Sequence, residues 1–255
     1  MTAPVLQTRD LGKSFLKGDR YIVALRGFSL AVDQGSFVCV LGRSGCGKST
    51  MLNLMAGLTR PSEGVVEYRG NLVSKPDPAV GYLTQSDTLM PWRDVRRNIE
   101  MPLEIRGSAR ADRHARAEQL IDAVGLRGFE KHYPRELSGG MRRRASLARL
   151  LVGEPDTLLL DEPFGALDAY LRTEMQGLLL SLWSGSGRTV VFVTHDIDEA
   201  LVMSDRVVLL GSLGRIIADV TVDLPRPRDI DELRVDKRYV ERHRALSSAL
   251  REAAR

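Results

Sequence analysis

The sequence predicts an α/β fold of the phosphate-loop nucleotide-hydrolase type, with a mainly parallel core sheet, an antiparallel β region ahead of it and an all-helical insertion within it. Three observations carry that reading. Gly42-Arg43-Ser44-Gly45-Cys46-Gly47-Lys48-Ser49-Thr50 has the form G-x-x-x-x-G-K-[ST] and follows a short apolar run, Phe37 to Leu41. Two later apolar runs, Thr157 to Leu160 and Thr189 to Thr194, end in Asp161-Glu162 and His195-Asp196 and are separated by a helical stretch. Between about residues 93 and 152, strand signals vanish and Arg, Ala and Leu dominate.

Residues 4–35 alternate apolar and polar positions, as in Val5 to Arg9 and Phe28 to Val32, and predict antiparallel strands joined by a turn at Lys17 to Arg20. Two aromatics in this region, Phe15 and Tyr21, are candidates to stack on an adenine ring. The unbroken run Phe37 to Leu41 predicts a strand buried on both faces. In the glycine loop behind it, backbone N–H groups can curl around phosphate oxygens, and the helix opening at Ser49-Thr50 adds partial positive charge. Lys48 is expected to reach the β- and γ-phosphates and the Ser49 hydroxyl to hold Mg²⁺.

A turn at Pro61 to Gly64, the run Val65 to Tyr68 and a turn at Arg69 to Asn71 predict a small hairpin that leads to a strand at Val80 to Thr84. Gln85 follows that strand, where its amide oxygen could reach Mg²⁺ or water. Ala111, Ala115, Leu120, Ile121 and Val124 have helical spacing that ends at Gly125. A second helix is expected from Ser138, and a third from Asp168 to Trp183 with Asp168 as its cap. Arg206 to Leu210 and Gly214 to Ala218 predict two more strands, and Asp236 to Arg255 a charged helix. The organisation expected is one domain over 1–255. It divides into an antiparallel β region with the phosphate-loop core (1–85), a helical part (86–152), the rest of the core (153–235) and a C-terminal helix (236–255).

Composition narrows the class. At 43% hydrophobic and 27% charged residues over 255, a sizeable core can form and disorder is not expected. The apolar runs are too short to span a bilayer, and Met1-Thr2-Ala3-Pro4 does not open a secretion signal. The two cysteines, Cys39 and Cys46, fit a reducing compartment better than a disulfide framework. The net charge of +4 is small, and the densest basic cluster, Arg142-Arg143-Arg144, has no interleaved aromatics, so nucleic acid is not an expected partner.

Asp161 and Glu162 complete the chemistry. Mg²⁺ held through its water shell suits Asp161, and a water oriented for in-line attack on the γ-phosphorus suits Glu162. With these residues in hand, nearly the whole chain resembles the ABC transporter ATPases. The family signature Leu-Ser-Gly-Gly-Gln stands here as Leu137-Ser138-Gly139-Gly140-Met141, with Met in place of the Gln. Asp161-Glu162-Pro163-Phe164-Gly165-Ala166-Leu167-Asp168 resembles the second nucleotide motif and the D-loop, His195 the switch histidine and Gln85 the Q-loop glutamine.

The resemblance implies that two copies close head to tail on two ATP molecules. Each γ-phosphate would lie between Lys48 of one copy and Ser138-Gly139-Gly140 of the other, with Asp168 also at the nucleotide. Leu89-Met90-Pro91-Trp92, Met141, Phe164 to Asp168 and Val222 to Arg228 are similar to one importer group, the nitrate, sulfonate and taurine type. Its members also carry bicarbonate or pyrimidine precursors. That implies a peripheral subunit on the cytoplasmic face of the membrane, two permease subunits whose coupling helix enters a groove around Leu89 to Met101, and an external solute-binding protein. An ABC ATPase that regulates a membrane partner, or one that works on nucleic acid, is the alternative. The long coiled-coil insertion, zinc cysteines or paired cassettes usual in the nucleic-acid group do not occur here.

Overall fold

The computed structural model describes residues 3–165, 167–228 and 230–252, without the side chains of residues 230 and 231. Ala166 of the D-loop stretch and the last three residues of the expected C-terminal helix lie outside the described residues. The chain divides into two compact units. One holds the residues up to Asp77, Leu159–Glu162 and the residues from Gly187 onward; the other holds Pro78–Leu158 and Pro163–Ser186.

The first unit is built on two sheets. Strands β1 (Leu6–Lys17) and β2 (Arg20–Val32) form the expected hairpin, in register from Leu6 opposite Val32 to Lys17 opposite Arg20. Gly18 turns it at φ +60°, a left-handed conformation that costs glycine little. Strand β4 (Glu63–Tyr68) pairs antiparallel with β1, and the two-residue β5 (Asn71–Leu72) with β4, giving the order β2-β1-β4-β5.

The second sheet runs β10-β9-β3-β8-β7 within this unit. Its strands are β3 (Phe37–Gly42), β7 (Thr157–Asp161, entering this unit at Leu159), β8 (Thr189–Thr194), β9 (Arg206–Leu210) and β10 (Ile216–Thr221). Strand β3 pairs parallel with both β8 and β9, and β10 closes the edge antiparallel to β9. Every residue of β3 and β8 is buried, as their unbroken apolar runs require, and Phe37 packs on Phe192 at 5.9 Å between ring centroids. Removing each such ring or branched chain from water contributes about 1.5–3 kcal/mol. Helices α1 (Lys48–Met55), α6 (Ile197–Met203), α7 (Ile230–Leu233) and α8 (Lys237–Glu252) complete the unit.

The second unit holds β6 (Val80–Leu83), α2 (Val95–Ile105), α3 (Arg110–Ala123), α4 (Gly139–Leu151) and α5 (Ala169–Trp183). Periodicity does not single out helix α2, because Pro102 lies inside it and reads as a breaker. Asp94 caps it, accepting from the Arg97 N–H at 2.8 Å. Residues 78–85 and helix α5 also fall in this unit. The reason for α5 is local: Leu171 fills the space beside Gly140, and Arg144 pairs with Glu174.

Candidate functional site

Parallel pairing places the catalytic candidates. Leu41 stands opposite Thr194 in the β3–β8 ladder, so the phosphate loop and His195 leave the sheet side by side. The Glu162 N–H donates to the Val193 carbonyl at 3.0 Å, which anchors the residue after β7 at the same strand ends. In open α/β sheets these carboxyl ends are where ligands bind.

Within the loop, Gly45 (φ +82°) and Gly47 (φ +106°) hold left-handed conformations. At Gly47 a Cβ would also lie 2.6 Å from the Ala24 carbonyl oxygen, so only glycine fits there. Lys48 is 5% exposed and donates to the carbonyls of Gly42 at 2.7 Å and Arg43 at 2.9 Å. Its ammonium group stands 3.4 Å from Glu162 Oε1. The other carboxylate oxygen, Oε2, lies 3.0 Å from His195 Nδ1. Glu162 thus bridges the lysine and the histidine. It does so from a backbone φ of +41°, a left-handed conformation that costs a non-glycine residue about 1 kcal/mol or more and that aims its side chain across the strand ends.

Asp161 is buried at the end of β7, while Arg43, Ser44, Gly45 and Ser49 are exposed around the loop and Thr50 is half-buried. Burial pushes the Cys39 and Cys46 thiols up from their ordinary range, so neither is a ready nucleophile, and both are free. Phe15 and Tyr21 are 44% and 75% exposed on the β1–β2 hairpin, but not on one face. Phe15 pairs with Ile22, and Tyr21 with the neighbouring Leu16, and successive strand residues point to opposite sides. The two rings therefore cannot flank one adenine. Lys13 Nζ stands 5.1 Å from the Phe15 ring centroid.

The remaining candidates lie on the second unit. Ser138 caps α4, accepting from the Met141 N–H at 3.2 Å, and with Gly139 it is exposed at the helix N-terminus. Gly140 is buried, and a Cβ there would lie 2.3 Å from Leu171 Cδ2. Asp168 is exposed and caps α5 through the Leu171 N–H at 3.0 Å, as its position predicts. Gln85 is exposed after β6.

Two residues that pattern reading missed organise these loops. Arg143, buried on α4, donates to the Pro163 carbonyl at 2.5 Å, to Thr84 at 2.8 Å and to Gln85 at 3.4 Å, so it ties the residues beside Gln85 to those after Glu162. The signal available was an arginine on the apolar side of α4. Asn98, fully buried on α2, holds the Met90 to Arg93 loop by accepting from the Met90 N–H and donating to the Met90 and Arg93 carbonyls. That loop leaves Trp92 70% exposed, against the alternative that its ring is buried in an ordinary surface loop. Trp92 lines a pocket of about 500 Å³ with Arg93, Arg97, Glu100, Glu104 and Arg110.

Comparison with known proteins gives concordant matches. A family model described as ABC transporter matches residues 25–165. A taurine import ATP-binding protein of Pseudomonas aeruginosa is 46% identical over 222 residues, 87% of this chain and 84% of that one. An aliphatic sulfonates import ATP-binding protein of Bacillus cereus is 41% identical over 219 residues, 86% of each chain. Among solved structures, an ATP-binding cassette in a dimeric post-hydrolysis state bound to ADP and Pi matches with a TM-score of 0.78 and 31% identity, covering 86% of this chain and all (100%) of that one.

Proposed function

Because the chain belongs to the ABC transporter family of ATP-binding cassettes, we propose that it hydrolyses ATP to energise import of a small solute of the nitrate, sulfonate and taurine class. The observation that carries the site is the convergence of Lys48, Glu162 and His195 at one loop whose Gly45 and Gly47 hold left-handed conformations. Phe15 or Tyr21 stacks on the adenine; the loop N–H groups from Gly42 to Thr50 and the Lys48 ammonium hold the phosphates. Glu162 orients the attacking water and takes its proton, and His195 steadies Glu162 and contacts the γ-phosphate.

The oxygen donors of the Ser49 hydroxyl, the Gln85 amide and the Asp161 carboxylate suit Mg²⁺ chemically and would hold it, and the ion would supply charge neutralisation at the phosphates.

A second copy completes each site. The exposed Ser138-Gly139 opening of α4 presents N–H donors and a positive helix end to an anion, and Asp168 stands exposed on the same unit. Closure on ATP then pulls on permease subunits whose coupling helix rests at the stretch from Leu89 to Met101; an exposed indole with a charged rim, as at Trp92, is suited to such a partner. No helix of the described residues is long and apolar enough to cross a membrane. The subunit sits on the cytoplasmic face, and an extracytoplasmic binding protein delivers the solute.

The test is to tag Glu162→Gln chain, extract it gently from native membranes with ATP present and identify co-purifying proteins by mass spectrometry. A multi-spanning permease is the expected result. Nucleic acid, ribosomes or a single-span signalling protein would leave the ATP chemistry standing and overturn the transport role.

A further inference from the structure

Helix α6 starts two residues after His195 and is only seven residues long, so its seating governs where the histidine stands. It is held on two sides by adjacent carboxylates. Inward, Glu199, 5% exposed, accepts from the Thr194 hydroxyl, which in turn accepts from the Asp196 N–H at 3.1 Å. Outward, Asp198 accepts from the Tyr239 hydroxyl of α8 and has His243 Nε2 at 3.4 Å.

This outward contact is well seated. Tyr239 and Leu246 of α8 are 3% and 1% exposed, and Tyr239 lies against the His243 ring at 6.0 Å between centroids. Burial, together with the bond to Asp198, pushes the Tyr239 phenol well above its usual range, so it stays a donor. The last turns of α8 then reach the nucleotide face. Ser247, Leu250 and Arg251 line one pocket of about 500 Å³ with Gly42, Arg43, Ser44 and His195.

We propose that α8 is a positioning element for the switch histidine: Tyr239, by holding Asp198, fixes α6 and so keeps His195 beside Glu162. The inference rests on His195 acting at the γ-phosphate. Tyr239 does not touch the reacting groups, so its effect passes through His195.

The experiment is a double-mutant cycle in the full chain, with Tyr239→Phe made in the wild-type and His195→Ala backgrounds and steady-state ATPase kinetics read in each. In the wild-type background kcat should fall about three- to tenfold while KM for ATP changes less than about twofold. In the His195→Ala background the same change should have no further effect, because two changes that act through one group do not add. Equal losses in both backgrounds, or an unchanged kcat in Tyr239→Phe alone, overturn the proposal. Wild-type turnover by His195→Ala alone would overturn the reading of the site instead. If Tyr239→Phe does not fold, Asp198→Asn, which keeps the shape of the acceptor and weakens the bond, is put through the same cycle and judged by the same outcomes.

Discussion

Glu162→Gln separates binding from chemistry more sharply than any other change. The amide occupies the volume of the carboxylate, in a site where the side chain is 13% exposed, so the surroundings need not move. Lys48 keeps its bonds to the Gly42 and Arg43 carbonyls, and the loop N–H groups are untouched. What is lost is a proton acceptor at the end of β7 and one negative charge 3.4 Å from the lysine. Loss of a positioned general base lowers turnover by about 10²–10⁴, equivalent to about 3–5 kcal/mol of barrier.

The lost charge acts in the opposite sense on binding. ATP brings several negative charges to the place where the Glu162 carboxylate stands, so neutralising that group should leave affinity unchanged or make it tighter. Single-turnover hydrolysis measured beside equilibrium binding of ATP and size-exclusion chromatography reads all three consequences: slow chemistry, retained affinity and an accumulating ATP-bound dimer. A kcat within threefold of wild type, or an affinity at least tenfold weaker, would refute the assignment of Glu162 as base rather than as phosphate-site scaffold.

Lys48→Ala removes the loop's buried cation and should abolish turnover with weakened or misplaced ATP; wild-type turnover would sink the site as drawn. Met141→Gln should change ATPase activity less than tenfold, about 1.4 kcal/mol, because Ser138 and the helix-opening N–H groups are unaffected; a hundredfold change would show a direct role for position 141. Because Phe15 and Tyr21 face opposite sides of the hairpin, alanine at one should raise KM for ATP several-fold and alanine at the other should leave it unchanged; equal effects from both would contradict the strand geometry.

Local chemistry made the core legible. The glycine loop, the buried strands around it and the acidic strand end are each written in contiguous residues, and the helix caps at Ser138 and Asp168 could be placed from residue type alone. Helix α2 could not, because Pro102 masks a helix that is held by its cap at Asp94 and by Asn98 reaching back to the Met90 to Arg93 loop. Arg143 looked like one member of a basic cluster, and only its burial against the Pro163 and Thr84 carbonyls gives it a different task.

The sequence by itself determined the motifs, the alternation of strands and helices and the chemistry each residue type can do, since those depend on neighbours along the chain. Only the tertiary structure decided which of them meet. Glu162 and His195 lie far apart in sequence and stand 3.0 Å apart through the pairing of parallel strands. Phe15 and Tyr21 lie close in sequence and face opposite sides because of hairpin register. The C-terminal helix, a charged tail by composition, is joined to helix α6 because Tyr239 meets Asp198. Long-range pairing and register are set by the burial of whole faces, a sum over many residues that no short stretch of sequence contains.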